Sequence, residues 1–390
     1  MATLLTGATG YLGSYIIAEL LAHSRERLAL LVRAKSSVAA RQCLWRALQL
    51  HMDFAHFQDA LERCDLYVGD ITQSQLGLTA TAWHRLVCST TAVIHTAAAV
   101  NRLSLRRCMD VNLRGTLAVI HLARAAHAHH GLRRFSAVST VSVAGFRHDA
   151  VVSEDEGLSG NRYDNDPYGV SKQCCEALIH ALLADVPYTI FRPSAILGDS
   201  RFPQTTQFDN ARAFVTFARA GVLPLRPEWR LDLVPADYVG QAIVSLHQKD
   251  RLAHQVYHLS AGVHAPTYQE MVDSLRQHVP SPGPFFVPAL RRPVAALVTA
   301  AAALPRHWRL TRAATLLKVF MPYLLSNTVF DNTRATAELG VAPPPFHTYA
   351  GPLYQFLTAH RCQYPYQPWP EPRAVAGHTL GGAASCLGTI

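Results

Sequence analysis

Residues 6–13 read Thr-Gly-Ala-Thr-Gly-Tyr-Leu-Gly and lie between an apolar stretch, 1–5, and a helical pattern, 14–21. This order predicts a strand, a glycine-rich turn and the start of a helix. Gly7 permits the tight turn, Gly10 lets phosphates approach the backbone, and Gly13 lets the helix pack closely. The helix N-terminus adds unpaired N–H groups and a positive dipole end. The stretch therefore predicts a pyrophosphate site, although its G-x-x-G-x-x-G spacing departs from the common G-x-G-x-x-G. The residues expected to contact a dinucleotide here are Gly7, Thr9, Gly10, Tyr11, Leu12 and Gly13.

Strand-like and helical patterns alternate over residues 1–200. The strand-like runs are 3–5, 28–32, 66–68, 92–95, 135–138 and 188–191. Such alternation predicts right-handed crossovers and a parallel sheet with helices on both faces. The expected fold class is α/β, a doubly wound Rossmann sheet with a smaller, mostly helical C-terminal substrate lobe.

The pattern also predicts how the chain is divided. Residues 1–200 form the dinucleotide-binding domain, and residues 234–260 return to it with a helix capped by Asp237 and a last strand at 256–259. Residues 201–233 and 261–360 form the substrate lobe. Residues 363–390, rich first in Pro and then in Gly, Ala and Ser, are expected to be a disordered tail.

Composition excludes several classes of protein. The 390 residues are 49% hydrophobic and 16% charged, which predicts a globular chain. No signal peptide is recognisable, and the longest apolar run, 294–304, is shorter than the roughly 20 residues of a membrane-spanning helix. The eight cysteines show no paired C-x-x-C spacing and predict reduced, mostly buried thiols in a cytoplasmic protein. His127, His129 and His130 fit a polar helix end better than a zinc site, so no metal is predicted.

The distribution of positive charge is uneven. The net charge is +9, and residues 274–330 contain no Asp or Glu. The basic residues within this segment are Arg276, Arg291, Arg292, Arg306, Arg309, Arg312 and Lys318. They form either a solvated basic face or a docking surface for an anionic partner, such as a phosphorylated cofactor or an acidic carrier protein. No nucleic-acid-binding motif accompanies them.

The residues that follow the predicted strands indicate which dinucleotide binds. An NAD site usually has Asp or Glu after the second strand, whereas this chain has Arg33, with Arg41 on the next helix. A guanidinium can bind a 2′-phosphate with two hydrogen bonds and stack on adenine. The sequence therefore favours NADPH. Asp70 and Ile71 after the third strand suit the adenine edge, and Ala97 and Ala98 after the fourth leave room for the ribose.

Tyr168 and Lys172 stand four residues apart and lie on one face if the segment is helical. An ammonium near a phenol favours the phenolate, so we expect Lys172 to lower the pKa of Tyr168 towards neutrality. Thr140, just after the fifth strand, can supply a hydroxyl to hold a substrate oxygen beside that tyrosine.

With these motifs the chain resembles the extended short-chain dehydrogenase/reductase superfamily over about residues 1–260. The resemblance implies that Thr140 is the substrate-holding hydroxyl, five residues before Gly145, and that Tyr168 is the general acid. It implies that Lys172 lowers the tyrosine pKa and anchors the nicotinamide ribose. Asn112 matches the superfamily's helix asparagine, and Pro193 lies in the segment that closes over the nicotinamide.

Four further motifs resemble the thioester reductase branch, which includes terminal reductase domains of nonribosomal peptide and polyketide synthases, carboxylic acid reductases and fatty acyl-CoA reductases. They are 31–34 (Leu-Val-Arg-Ala), 68–72 (Val-Gly-Asp-Ile-Thr), 138–145 (Val-Ser-Thr-Val-Ser-Val-Ala-Gly) and 329–334 (Val-Phe-Asp-Asn-Thr-Arg). This resemblance implies NADPH-dependent reduction of an acyl thioester to an aldehyde, and a second hydride would give the alcohol. Because the chain begins at the first strand, the thiol carrier is expected to be coenzyme A or a carrier protein acting in trans, the latter docked on the basic C-terminal lobe.

Two other functions fit the same motifs. One is another extended-family enzyme, such as a nucleotide-sugar epimerase or dehydratase or a hydroxysteroid-type dehydrogenase. The other is a non-catalytic protein that senses NADP. The basic C-terminal lobe and Arg33 favour the thioester branch over the first, and the presence of Thr140, Tyr168 and Lys172 favours an enzyme over the second.

Overall fold

A computed structural model describes residues 1–156, 166–279, 283–304 and 309–370. The strands are β1 Ala2–Thr6, β2 Arg27–Val32, β3 Cys64–Val68, β4 Thr90–His95, β5 Arg134–Val138, β6 Val151–Val152, β7 Tyr188–Pro193, β8 Ala195–Ile196, β9 Val222–Leu223, β10 Leu233–Val234, β11 Val256–Leu259, β12 Phe285–Phe286 and β13 Val329–Phe330. Seven of them form one sheet in the order β11-β7-β5-β4-β1-β2-β3, and every neighbouring pair in it is parallel. The predicted doubly wound Rossmann sheet is confirmed.

Helices connect these strands. They are α1 Tyr11–His23, α2 Ser37–Leu48, α3 Phe54–Glu62, α4 Ala80–Ser89, α5 Leu105–Cys108, α6 Arg114–His130, α7 Pro167–Leu182, α8 Asp209–Ala218, α9 Ala236–Gln248, α10 Tyr268–Leu275, α11 Arg291–Ala302, α12 Arg309–Leu324, α13 Thr333–Leu339 and α14 Phe346–Ala359. One turn of π-helix, Met109–Leu113, joins α5 to α6.

Two hydrophobic layers sandwich the sheet. One contains side chains of α1, α2, α9 and α13, and the other contains side chains of α4, α6 and α7. Helices α1 and α9 pack so closely that a Cβ on Gly240 would lie 2.8 Å from Tyr15 Cβ. Burial of apolar area on both faces is the main contribution to the stability of such a layered sheet.

A third hydrophobic cluster lies outside the sheet. It joins α8, α10 and α14 around aromatic side chains such as Phe214, Tyr268 and Tyr349. Helices α11 and α12 pack on each other beside this cluster. The C-terminal part of the chain is therefore mostly helical, as its sequence predicts.

The start of α9 differs from its predicted form. The helix begins at Ala236 with Pro235 as its N-cap, so Asp237 is not the capping residue. The Asp237 carboxylate instead accepts hydrogen bonds from the backbone N–H of Ser200, at 3.0 Å, and from the Ser200 hydroxyl. Because proline has a fixed φ and no N–H, Pro235 ends the preceding strand and leads into the helix, and the aspartate is free to fix the loop after β8.

Part of the predicted tail is packed. Tyr364 donates a hydrogen bond to the Gln49 carbonyl at 3.0 Å, and Trp369 meets Phe54 edge-on with ring centroids 5.2 Å apart. Residues 363–370 therefore lie against α2 and α3, because their aromatic side chains gain buried contacts that a composition-based prediction does not register. The remainder of the predicted tail, 371–390, lies outside the described residues.

The described cysteines are all free thiols, but only Cys108 and Cys175 among them are buried, fewer than the sequence suggests. Among the described residues, no helix combines the length and the apolar character needed to cross a bilayer.

Candidate functional site

The glycine-rich turn forms a cradle at the carboxyl end of β1. Gly7 has a φ of +80°, and any Cβ there would collide with Thr96 Oγ1. A Cβ on Gly13 would collide with the carbonyl oxygen of Gly7, so only glycine lets the helix approach the turn this closely. Helix α1 then starts at Tyr11, with Gly10 as an N-cap that offers no side chain to the first N–H groups. Open N–H groups and missing Cβ atoms suit a pyrophosphate.

Two predicted cofactor residues meet across neighbouring strand ends. Arg33 follows β2 and Asp70 follows β3, and Arg33 Nη1 lies 4.0 Å from Asp70 Oδ2. The Arg33 side chain is 75% exposed, so its guanidinium is accessible to a ligand. Asp70 Oδ1 accepts from Thr72 N and Thr72 Oγ1, at 2.9 and 2.8 Å, which fixes the loop. Arg41 lies exposed on α2, and Ile71 is buried.

The segment after β4 is tied to the reactive helix through Asn112. The Asn112 amide accepts from Ala99 N at 2.7 Å and donates to Ala99 O at 3.1 Å. Its Nδ2 also donates to Ser171 Oγ at 2.8 Å, and Ser171 lies between Tyr168 and Lys172 on α7. Asn112 is 1% exposed and stands in the π-helical turn. Asn112 therefore ties the loop after β4, at Ala99, to α7.

Thr140 and helix α7, which carries Tyr168 and Lys172, meet at the carboxyl end of β5. Thr140 caps the short 3₁₀ turn Val141–Ala144, and α7 lies directly on this turn. A Cβ on Gly169 would be only 3.0 Å from Ser142 O, so this glycine permits the close approach. Lys172 Nζ donates to the carbonyl of Val138, the last residue of β5, at 2.8 Å. The i, i+4 spacing thus puts both reactive residues of α7 on the helix face that meets the carboxyl end of β5.

The expected lowering of the Tyr168 pKa is wrong for this structure. Burial raises the pKa of Tyr168 to about 12, and Arg102 rather than Lys172 is the cation that opposes this rise. The same burial lowers the pKa of Lys172. Removing water penalises the charged form of either group, and this outweighs the interaction read from their spacing. A phenol with this pKa stays protonated at neutral pH, as a proton donor requires.

Two residues next to Tyr168 were missed by sequence reasoning. Asp166 caps α7 by accepting from Tyr168 N at 3.2 Å, and its other oxygen accepts from Arg102 Nη1. The Arg102 guanidinium lies over the Tyr168 ring, 5.2 Å from its centroid. Asp166 directly before Pro167 is a recognisable helix start, so that residue could have been found. Arg102 carries no such local signal.

A buried ion pair below the site was also missed. Glu176 on α7 accepts from Arg192 Nε and Nη2 at 3.1 and 2.7 Å, and it accepts from the Ser139 hydroxyl. Arg192 Nη1 lies 3.4 Å from His258 Nε2. The pair thus joins the carboxyl end of β7 to α7.

Two of the histidines at the end of α6 contact backbone groups near that helix end. His127 Nδ1 accepts from Leu132 N at 3.1 Å, and His130 Nε2 lies 3.2 Å from the carbonyl of Val87. Within the described ranges, no group of three or more His, Cys, Asp or Glu side chains has the arrangement of a metal site.

The chain matches proteins of known families. The sequence model described as male sterility protein, an NAD-binding family, matches residues 5–243, more than half of the chain. A nonribosomal peptide synthetase, asaC of Aspergillus flavus, is 30% identical over 65% of this chain and 26% of its own length. A carboxylic acid reductase of Mycobacterium marinum is 27% identical over 66% of this chain and 24% of its own length.

Solved structures give the same result. The terminal R domain from the myxalamid PKS-NRPS pathway superposes with a TM-score of 0.76 at 26% identity, covering 92% of this chain and 90% of the domain. The present chain spans about a quarter of the length of the two curated relatives named above. The matched region contains the glycine turn, the Arg33–Asp70 edge and the Thr140–Tyr168–Lys172 set. The chain is therefore an oxidoreductase of the male sterility protein family, within the thioester reductase branch of the extended short-chain dehydrogenases/reductases.

Proposed function

We propose that this protein reduces an acyl thioester to an aldehyde and a free thiol with NADPH. The observation that carries the proposal is the position of Thr140 and of α7, with Tyr168 and Lys172, at the carboxyl end of β5. The glycine turn after β1 lies at the same end of the parallel sheet. Thioester reductase relatives supply the substrate class. A nucleotide-sugar or hydroxysteroid enzyme would share this set, but the basic C-terminal lobe favours the thioester.

The residues of the site have distinct roles in this reaction. Thr140 Oγ1 and the Tyr168 hydroxyl hold the thioester carbonyl oxygen, and bound NADPH supplies the hydride. Tyr168 gives its proton to the oxygen as negative charge develops there. The resulting hemithioacetal then collapses, so that the C–S bond breaks and thiol and aldehyde leave. Lys172, whose ammonium donates to the Val138 carbonyl, would anchor the cofactor ribose. A second hydride transfer would reduce the aldehyde to the alcohol.

The test is mass analysis of products from NADPH and a panel of acyl-CoA and acyl-pantetheine thioesters, with nucleotide sugars and sterols as alternative substrates. Thioester-dependent NADPH oxidation with stoichiometric thiol release supports the proposal. Turnover of only a sugar or sterol would contradict it, and NADPH binding without any turnover would favour a sensing protein.

The cofactor preference rests on Arg33. Arg33→Ala is expected to raise the KM for NADPH about 10- to 100-fold, because one charge-assisted contact to the 2′-phosphate contributes about 1.5–3 kcal/mol. The KM for NADH should change little, since NADH has no phosphate there. Arg25→Ala, just before the same strand, is the matched control. Steady-state kinetics with NADPH and with NADH measure the two KM values. Equal changes in both would show that Arg33 does not bind the 2′-phosphate.

The carrier is proposed to be coenzyme A or an acidic acyl or peptidyl carrier protein in trans. Arg291, Arg292 and Lys318 are exposed on α11 and α12, together with apolar Leu297, which is 69% exposed. Basic and apolar groups on one helix pair suit an acidic partner with an apolar contact.

Charge reversal tests this surface. The double variant Arg291→Glu/Arg292→Glu is expected to raise the KM for a carrier-protein thioester about tenfold or more, because rim charges steer association. The KM for the uncharged acyl-pantetheine thioester should stay unchanged, since it does not need the surface. Arg85→Glu on α4 is the control. A parallel loss with both substrates would mean that the variant damages the fold instead.

A further inference from the structure

A positive charge covers the reactive phenol. Arg102 lies between β4 and α5, and its side chain is 17% exposed. Its Cζ stands 5.2 Å from the ring centroid of Tyr168, 5.4 Å from that of Phe320 and 4.8 Å from that of Tyr323. Three aromatic rings therefore hold the guanidinium in place, two of them supplied by α12 of the C-terminal lobe.

A negative charge, Asp166, lies beside the same tyrosine and forms an ion pair with Arg102. The Asp166 side chain is 3% exposed, and one of its oxygens is held by the Tyr168 backbone N–H. The second oxygen accepts from Arg102 Nη1 and from the Tyr323 hydroxyl. The ion pair is shielded from solvent, so water only weakly screens the effect of its two charges on Tyr168.

We propose that Arg102 and Asp166 are positioning residues that act on Tyr168 as an opposed pair of charges. Arg102 stabilises the phenolate that forms when Tyr168 gives up its proton, and Asp166 disfavours it. Tyr323 on α12 donates to Asp166 and so weakens the effect of the Asp166 charge on the Tyr168 phenolate. The inference rests on the proposed role of Tyr168 as proton donor and extends it to residues outside the Thr140–Tyr168–Lys172 set.

The other ionisable groups near Tyr168 leave these two as its main charges. Cys108 on α5 and Cys175 on α7 are thiols whose pKa values burial raises, so they stay neutral. The Lys172 ammonium is directed to the Val138 carbonyl. After burial, the first electrostatic influences on the Tyr168 pKa are Arg102, which lowers it, and Asp166, which raises it.

The experiment measures the phenol directly. Tyr168 is replaced by 3,5-difluorotyrosine, which ionises at lower pH than tyrosine, and its titration is followed by ¹⁹F NMR. Arg102→Gln is expected to raise the pKa of this phenol and Asp166→Asn to lower it, each by about one unit, since a close charge moves a pKa by about 1–3 units. The amide introduced by Asp166→Asn keeps an oxygen for the Tyr168 N–H. Arg102→Lys should restore most of the wild-type value, and Arg106→Gln on exposed α5 should leave it unchanged.

The opposite signs of the two pKa shifts distinguish an electrostatic role of Arg102 and Asp166 from a purely structural one. A packing defect would move the pKa in the same direction in both variants, or not at all, and either result would overturn the proposal. Tyr323→Phe keeps the ring and removes one donor from Asp166, so it should raise the pKa by less than Arg102→Gln does. It also preserves the test if Asp166→Asn folds poorly.

The titration needs no substrate and therefore stands apart from the proposed reaction. Opposed shifts without thioester turnover would refute the proposed function and support the charge pair. In the active enzyme with its natural Tyr168, a proton donor is lost as pH rises through its pKa. Asp166→Asn should therefore move the alkaline limb of kcat to lower pH, and an unmoved limb would contradict the inference.

Discussion

Tyr168→Phe is expected to lower kcat for thioester reduction by about 10²- to 10⁴-fold, the usual contribution of a positioned proton donor. The substitution removes one oxygen from a buried side chain and leaves the ring under Arg102. The dinucleotide cradle at Gly7–Gly13 is untouched, so the Kd for NADPH should change less than a few-fold. Stopped-flow NADPH oxidation and NADPH fluorescence titration measure the two quantities separately.

Tyr188→Phe is the matched control for this variant. Tyr188 begins β7, at the amino end of the strands, whereas the site lies at their carboxyl end. Its hydroxyl lies 2.7 Å from His180 Nδ1 and donates to Gln255 at 3.0 Å. Its loss should leave kcat within about twofold of wild type. If Tyr168→Phe instead retained more than about a tenth of the activity, another group would have to donate the proton, and the buried Thr140 hydroxyl would be the next to test.

The parts of the fold that local patterns determine could be predicted. Strand runs, the glycine turn and the Tyr168–Lys172 spacing are each encoded within a few residues, and the parallel sheet follows from their alternation. The adjacency of Arg33 and Asp70 follows too, because consecutive strands β2 and β3 are neighbours.

The parts that depend on distant contacts could not. Arg102 reaches Asp166 across 64 residues and the rings of α12 across more than 200, and no sequence period connects them. The pKa of Tyr168 depends on how much water the folded chain excludes, which the i, i+4 spacing with Lys172 does not report. Asp237 is another example: the sequence predicts that it caps α9, but its carboxylate accepts a hydrogen bond from Ser200 N, 37 residues earlier in the chain.

Glu176→Ala is expected to destabilise the protein by about 3–5 kcal/mol, because it leaves the Arg192 guanidinium buried without its carboxylate. Both side chains are almost fully buried, at 1% and 4% exposure, and two hydrogen bonds join them. Urea denaturation followed by circular dichroism measures the loss. Asp185→Ala breaks the Arg124–Asp185 pair, whose side chains are 46% and 58% exposed, and should cost less than about 1 kcal/mol.

The double variant Glu176→Leu/Arg192→Met distinguishes a broken pair from a packing defect. It removes both charges together, so no uncompensated charge remains, and it should be more stable than Glu176→Ala. If the double variant were less stable than either single one, side-chain volume rather than charge would explain the loss. Because Ser139 donates to Glu176 and adjoins Thr140, kcat should fall in both variants even where the fold recovers. Recovery of stability without recovery of kcat would show that the buried carboxylate holds Ser139 and Thr140, at the carboxyl end of β5, in place.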